Sequence, residues 1–265
     1  MRRLIVFLIL LMAGAAPACA QSTSQPASQP ASRFDGWAAA VISADWRDSR
    51  DRPIEAFDNA RRDLTAGFLA AGFSRANLYD ASLRPDVASP VMAGDAIEAM
   101  TTLTRQAGRG CMLYFTSHGA PEGMVFGPDE TLTPTAMAML VREMCGSRPT
   151  VLIVSACYSG IFVDALAAPN RMILTAARRD RSSFGCGADV RYPYFDGCVI
   201  ESLPTAGDFI ALANATRACV RRRETDEDLT PSSEPQLSIG GNMQLLLPTL
   251  RFTRHTPAPT PTPTP

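Results

Sequence analysis

The chain is poor in the residues that most enzymes and nucleic-acid binders rely on. It has two histidines among 265 residues. It contains no His-Glu-x-x-His pair, no Cys-x-x-Cys pair, no phosphate-binding glycine loop and no Gly-x-Ser-x-Gly elbow. One usable histidine and no clustered ligands argue against a metal centre, and no cofactor is expected. Charge of one sign is also missing: 25 Lys+Arg stand against 26 Asp+Glu, a formal net charge of -1. No basic footprint for nucleic acid follows from such a balance. The only long apolar run, "LIVFLILLMAGAA", is short for a membrane span and has no stop-transfer flank.

That run follows Arg2 and Arg3 and ends at Ala18-Cys19-Ala20. A charged start, an apolar middle and a small-residue cleavage site make residues 1–20 an expected signal peptide. The protein is therefore expected to be exported, periplasmic or secreted. A lipoprotein anchored at Cys19 is the alternative, although Ala16 stands where a leucine is usual. Loss of Arg2 and Arg3 takes the formal charge from -1 to -3. Residues 21–33 are rich in Ser, Gln, Pro and Ala and read as a disordered linker; 251–265 end in a Pro/Thr tail. What lies between, 34–250, suits one domain with a substantial core.

Within 34–250 the pattern alternates. Strands are expected over 37–44, 77–82, 111–117, 150–156, 171–177 and 235–241. Helices are expected over 55–72, 93–108, 133–146, 195–203 and 206–223, the third with Thr133 as N-cap and Pro134 at its first position. Continuous apolar strands alternating with helices predict an α/β fold, a mostly parallel sheet covered on both faces. Its site belongs outside the carboxyl ends of the strands.

Two strand ends carry chemistry. "CMLYFTS" runs into His118-Gly119, and "TVLIVSA" runs into Cys157 and a Tyr-Ser-Gly turn. His255 falls in the Pro/Thr tail, so only His118 can be a positioned imidazole. The other cysteines of 34–250 begin a strand (Cys111), end a helix (Cys145) or lie in loop or helix (Cys186, Cys198, Cys219). A cysteine after an apolar strand is by itself more often a small core residue. Beside a histidine at the equivalent strand end it reads as a nucleophile with its base. The N–H groups of Gly119 and Cys157 are the expected donors to an oxyanion.

At these residues the chain resembles the legumain family of cysteine peptidases, within the caspase-like group. "YFTSHG" (114–119) is similar to its histidine-glycine block and "VSACYSG" (154–160) to its cysteine block. "LTAARRDRSSFGC" (174–186) and "YFDGCVIESL" (194–203) are similar to the segments that follow. The likeness runs in order over 36–220. It implies a caspase-like three-layer sandwich and hydrolysis of peptide bonds through an acyl-enzyme, with His118 and Cys157 catalytic. A related transamidase shows that such a dyad can also pass its acyl group to an amine. A peptide ligase or transamidase is thus one alternative, and a non-catalytic peptide-binding module another. A peptide or protein is the expected partner, and oligomeric state stays open.

The same resemblance places the pocket for the residue before the scissile bond at Ser155, Ser182, Ser183 and Asp196. Ser155 stands where legumains carry a glutamate, and the chain ends in its Pro/Thr tail where they carry an inhibitory domain. With at most one carboxylate, the pocket is expected to take Asn, then Arg or Lys, and Asp last unless Arg52 or Arg181 turns inward. Arg178, Arg179 and Arg181 otherwise read as a solvated loop, with contact to an acidic substrate as the sharper reading. Two disulfides are expected: Cys111–Cys145, both ahead of neighbouring strands, and Cys186–Cys198, closing one loop.

Overall fold

Four strands are buried along their whole length: β1 (Trp37–Ser43), β3 (Gly110–Thr116), β7 (Thr150–Ser155) and β8 (Arg171–Thr175). Only a sheet covered on both faces hides every side chain of a strand. The computed structural model describes residues 32–48 and 50–253. The expected leader, most of the linker, the Pro/Thr repeat of the tail, Cys19 and His255 lie outside the described residues.

In chain order β1 is followed by α1 (Ala56–Ala70), β2 (Leu78–Ser82), α2 (Ala93–Gln106) and β3. A small three-stranded antiparallel sheet comes next, β4 (Gly119–Ala120), β5 (Gly123–Val125) and β6 (Thr131–Leu132). Then come α3 (Pro134–Cys145), β7, α4 (Ile161–Leu166), β8, α5 (Tyr194–Ser202), α6 (Phe209–Asp226), β9 (Gln236–Ile239) and α7 (Gly241–Leu246). The main sheet has the order β2-β1-β3-β7-β8-β9. Every neighbouring pair is parallel except β8 with β9. The expected mostly parallel α/β sandwich is thus observed. The small sheet, α4 and α7 were not expected, because two- and three-residue strands and six-residue helices carry too little periodicity to read.

Successive side chains of each strand enter opposite cores. Val41, Tyr114, Ile153 and Leu174 face one core, completed by Leu64, Phe68, Phe195 and Phe209 of α1, α5 and α6. Ile42, Phe115, Val154 and Ile173 face the other, completed by Met100, Met137 and Phe162 of α2, α3 and α4. Each large side chain buried this way stabilises the fold by roughly 1.5–3 kcal/mol. Among the described residues no helix is long and apolar enough to cross a membrane.

Among the described residues two disulfides are present, and one differs from expectation. Cys111 and Cys145 are bridged, with Cα atoms 6.0 Å apart. Cys198 is bridged to Cys219, Cα to Cα 5.6 Å, and not to Cys186. The bridge joins α5 to α6, which pack side by side; Cys198 sits inside that interface and is fully buried. A cysteine on the buried face of a helix pairs with what that face meets. The loop holding Cys186 leaves from the other end of α5, and Cys186 stays free.

Candidate active site

The ladder between β3 and β7 pairs Thr116 with Ser155. His118 lies two residues beyond the first and Cys157 two beyond the second, so both leave the sheet at the same edge. The ladder is prolonged by Ser117 N–H, which donates to the Ser155 carbonyl at 3.0 Å. Gly119 then passes directly over the Cys157 peptide. A Cβ at residue 119 would lie 2.1 Å from the Cys157 carbonyl oxygen and 3.0 Å from Ala156 Cβ. Glycine is required there by close approach, and that approach brings the histidine segment onto the cysteine segment.

The turn after Cys157 has its own local logic. Tyr158 adopts φ +58°, and its N–H donates to the Arg181 carbonyl at 2.8 Å. The Ser159 hydroxyl accepts from Ala177 N–H at 3.1 Å. A Cβ on Gly160 would stand 2.4 Å from Arg179 N. Tyr-Ser-Gly therefore lets the chain bend tightly beneath the segment that follows β8. Two residues further along that segment than Arg181, Ser183 reaches the sulfur. Its N–H donates to Cys157 Sγ at 3.3 Å, and its carbonyl lies 3.5 Å from the same atom.

The His118 ring is held on two sides. Nε2 is 2.8 Å from the Arg47 carbonyl oxygen. A carbonyl only accepts, so Nε2 carries the hydrogen and Nδ1 is the basic nitrogen of the neutral ring. The Phe57 ring meets the imidazole edge-on, centroids 5.0 Å apart.

Beneath the ends of β3 and β7 is a buried polar group. Asp196, in the first turn of α5, has no exposed surface. Its carboxyl accepts from Tyr114 Oη at 2.5 Å and Thr116 Oγ1 at 2.6 Å, and the Ser155 hydroxyl bonds it too. Burial pushes its pKa up to about 6, against these hydrogen bonds, which pull it down. The Tyr114 hydroxyl is raised well above its ordinary value, by burial first and then by the Asp196 charge. The free Cys186 thiol is likewise pushed up, by burial first, then by Cys157, Asp196 and Asp45.

The structure thus gathers His118, Gly119, Cys157, Ser183, Ser155 and Asp196. Ser182 is exposed, and the residue that touches the sulfur is its neighbour Ser183. Arg52 is tied to Asp48, 2.6 Å between Nη2 and Oδ2, and Arg181 to Asp180 at 3.0 Å. Thr116, Tyr114 and the Arg47 carbonyl were not anticipated. The first could be found by its register with Ser155; a backbone carbonyl leaves no mark in a sequence. Among the described residues no group of three or more His, Cys, Asp or Glu could hold a metal ion.

The architecture is that of a caspase-like protein. It is similar to the crystal structure of caspase-1 from Spodoptera frugiperda, with a TM-score of 0.58 at 12% identity over 79% of this chain and 88% of that one. The sequence profile of the peptidase C13 family, the legumain family of cysteine peptidases, matches residues 61–201, and the chain belongs to that family. No curated protein matches the chain.

Proposed function

We propose that this protein is an exported cysteine endopeptidase that works through Cys157 and His118. The family supports a cysteine peptidase-like function. The observation that carries the finer reading is the passage of His118-Gly119 over the Cys157 peptide at one sheet edge. The sulfur attacks the scissile carbonyl while His118 Nδ1 takes the thiol proton. Backbone N–H groups of Gly119 and Cys157 receive the oxyanion. The imidazolium returns its proton to the leaving amine, and the thioester remains. Water, activated by the same nitrogen, attacks the thioester and frees the thiol.

The residue before the scissile bond approaches the strand ends over Ser155, Thr116 and Asp196, which are buried in this structure and have to be uncovered for contact. Below about pH 6 Asp196 holds its proton, and the pocket floor is neutral, rich in hydroxyls and suited to an amide. We place Asn first, Arg or Lys second and Asp last, because Arg52 and Arg181 are held by carboxylates elsewhere. Leaving a buried polar group unpaired by the wrong side chain costs about 1–3 kcal/mol. A positional-scanning peptide set, run with wild type and Cys157→Ala, tests both levels. Hydrolysis after Asn that vanishes in Cys157→Ala is expected. Strong preference for Asp or an aromatic residue would remove the pocket reading, and hydrolysis by Cys157→Ala would remove the nucleophile. The apolar run before Ala20 supports export, which N-terminal sequencing of the mature protein checks.

A further inference from the structure

The group that holds the His118 ring is a main-chain carbonyl in an irregular loop, and such a group needs anchors of its own. The loop leaves β1 at Ser43 and reaches α1 at Ala56. Its residue 45 is an aspartate only 3% exposed. One oxygen of that carboxylate, Oδ1, accepts from Trp46 N–H at 2.7 Å, Arg47 N–H at 3.2 Å and Arg47 Nε at 3.1 Å. The Trp46 carbonyl accepts from Ile54 N–H at 2.8 Å. The peptide joining Trp46 to Arg47 is therefore pinned on both sides, its N–H by Asp45 and its C=O by the loop's return limb. Pinning that peptide fixes the direction of the next carbonyl, which meets His118 Nε2 at 2.8 Å.

We propose that Asp45 is a positioning residue for the reaction: it orients the His118 imidazole through the Arg47 carbonyl. The inference rests on His118 acting as the base. A carboxylate this buried is expensive to keep, and three donors on one oxygen offset that cost while shaping the loop. Without them the 46–47 peptide is held on its C=O side only, by Ile54, its N–H side can tilt, the next carbonyl shifts from Nε2, and the ring loses part of its hold. Nδ1 then loses its aim. The pocket built on Ser155, Thr116 and Asp196 comes from other elements and is untouched. The loss falls on kcat, not on KM.

The test compares wild type, Asp45→Ala, Asp45→Asn and Cys157→Ala in peptide hydrolysis, with thermal midpoints measured in parallel. Asp45→Ala is expected to lower kcat by about 10–100-fold, the size of effect a misplaced catalytic group produces, with KM within about twofold. Asp45→Asn keeps an oxygen that accepts from both amides, so it should recover kcat to within about fivefold of wild type. If Asp45→Ala does not fold, Asp45→Ser, whose hydroxyl reaches one amide, takes its place with an intermediate loss expected. A folded Ala or Ser variant with wild-type kcat overturns the inference while Cys157→Ala remains inactive. So does an Asn variant as impaired as Ala at an equal midpoint. Hydrolysis that survives Cys157→Ala overturns the functional reading itself, and this inference with it.

Discussion

The two segments that meet at Cys157 are built in opposite ways. One is the pair of strand ends, β3 into His118 and β7 into Cys157, where seven- and six-residue strands aim the chain by ladder register. The other is the stretch between β8 and α5, residues 176–193, which has no regular structure yet supplies Ser183 to the sulfur. Register dictates direction in the first. Individual hydrogen bonds dictate it in the second: Tyr158 to Arg181, Ala177 to Ser159, Arg178 N–H to the Ser233 carbonyl at 2.8 Å. Chemistry that has to be aimed sits on the register-held side.

The sharpest way to break this contrast is at the strand ends. His118→Ala should lower kcat/KM by about 10²–10⁴-fold, the usual worth of a positioned base, with the thermal midpoint nearly unchanged. The His118 side chain lies at the edge of the sheet, outside both cores. A loss below tenfold would mean that the strand ends do not hold the reacting groups.

How much of this was readable follows the same division. The six strands of the main sheet, five of the helices and the two strand-end residues were legible, because apolar runs and helical spacing survive in sequence. The pairing of Cys186 was misread. Proximity along a loop says little about what a helix face meets, and Cys198 points into α6. The Arg47 carbonyl was invisible, since every residue has one. Asp196, by contrast, was placed by family resemblance alone, and its contact with Ser155 comes from a helix start meeting two strand ends.

The corrected cysteine pairing is the next test. Thiol counting on the denatured, unreduced chain from residue 21 onward should find two free thiols, Cys157 and Cys186. Replacing Cys198 and Cys219 with Ala should lower stability by about 3 kcal/mol, and replacing Cys111 and Cys145 by slightly more. The closed loops have sequence separations of 21 and 34 residues, and the effect grows slowly with loop length. A normal melt for Cys219→Ala with altered ones for Cys186→Ala and Cys198→Ala would restore the loop bridge.

Asp196 should leave a pH signature of similar size. Its folded pKa is about 6 against 3.8 in the unfolded chain. Between those values the folded protein holds a proton that the unfolded chain has released, so stability falls as pH rises. The decline should start near pH 4, end just above pH 6 and amount to roughly 3 kcal/mol. Asp196→Asn, which stays neutral, should flatten that decline in urea titrations. Asp48 slopes the other way: its bond to Arg52 holds it at about 2, so its contribution is lost as pH falls from 4 toward 2. A stability curve that rises between pH 4 and 6 in wild type, and equally in Asp196→Asn, would show that the carboxyl is already ionised in the folded state.

The smallest effect belongs to the loop-held side. Arg179 pairs with Asp164 at 3.3 Å, with side-chain exposures of 64% and 80%. Such pairs gain little, because water screens the attraction and two long side chains must be ordered. What fixes the loop here is the Arg179 backbone against Gly160, which any residue supplies. Arg179→Ala should therefore leave the thermal midpoint within about a degree or two of wild type. It should also leave kcat/KM for neutral peptides unchanged. Arg178, knit to both Asp180 and Glu234, should be slightly more sensitive. The informative comparison is between peptides with and without acidic residues flanking the scissile bond. Equal retention for both identifies 178–181 as a solvated, ion-paired loop. A tenfold selective loss for the acidic peptides in Arg179→Ala would instead make this loop a recognition surface, and the irregular side of the site would then carry specificity as well as shape.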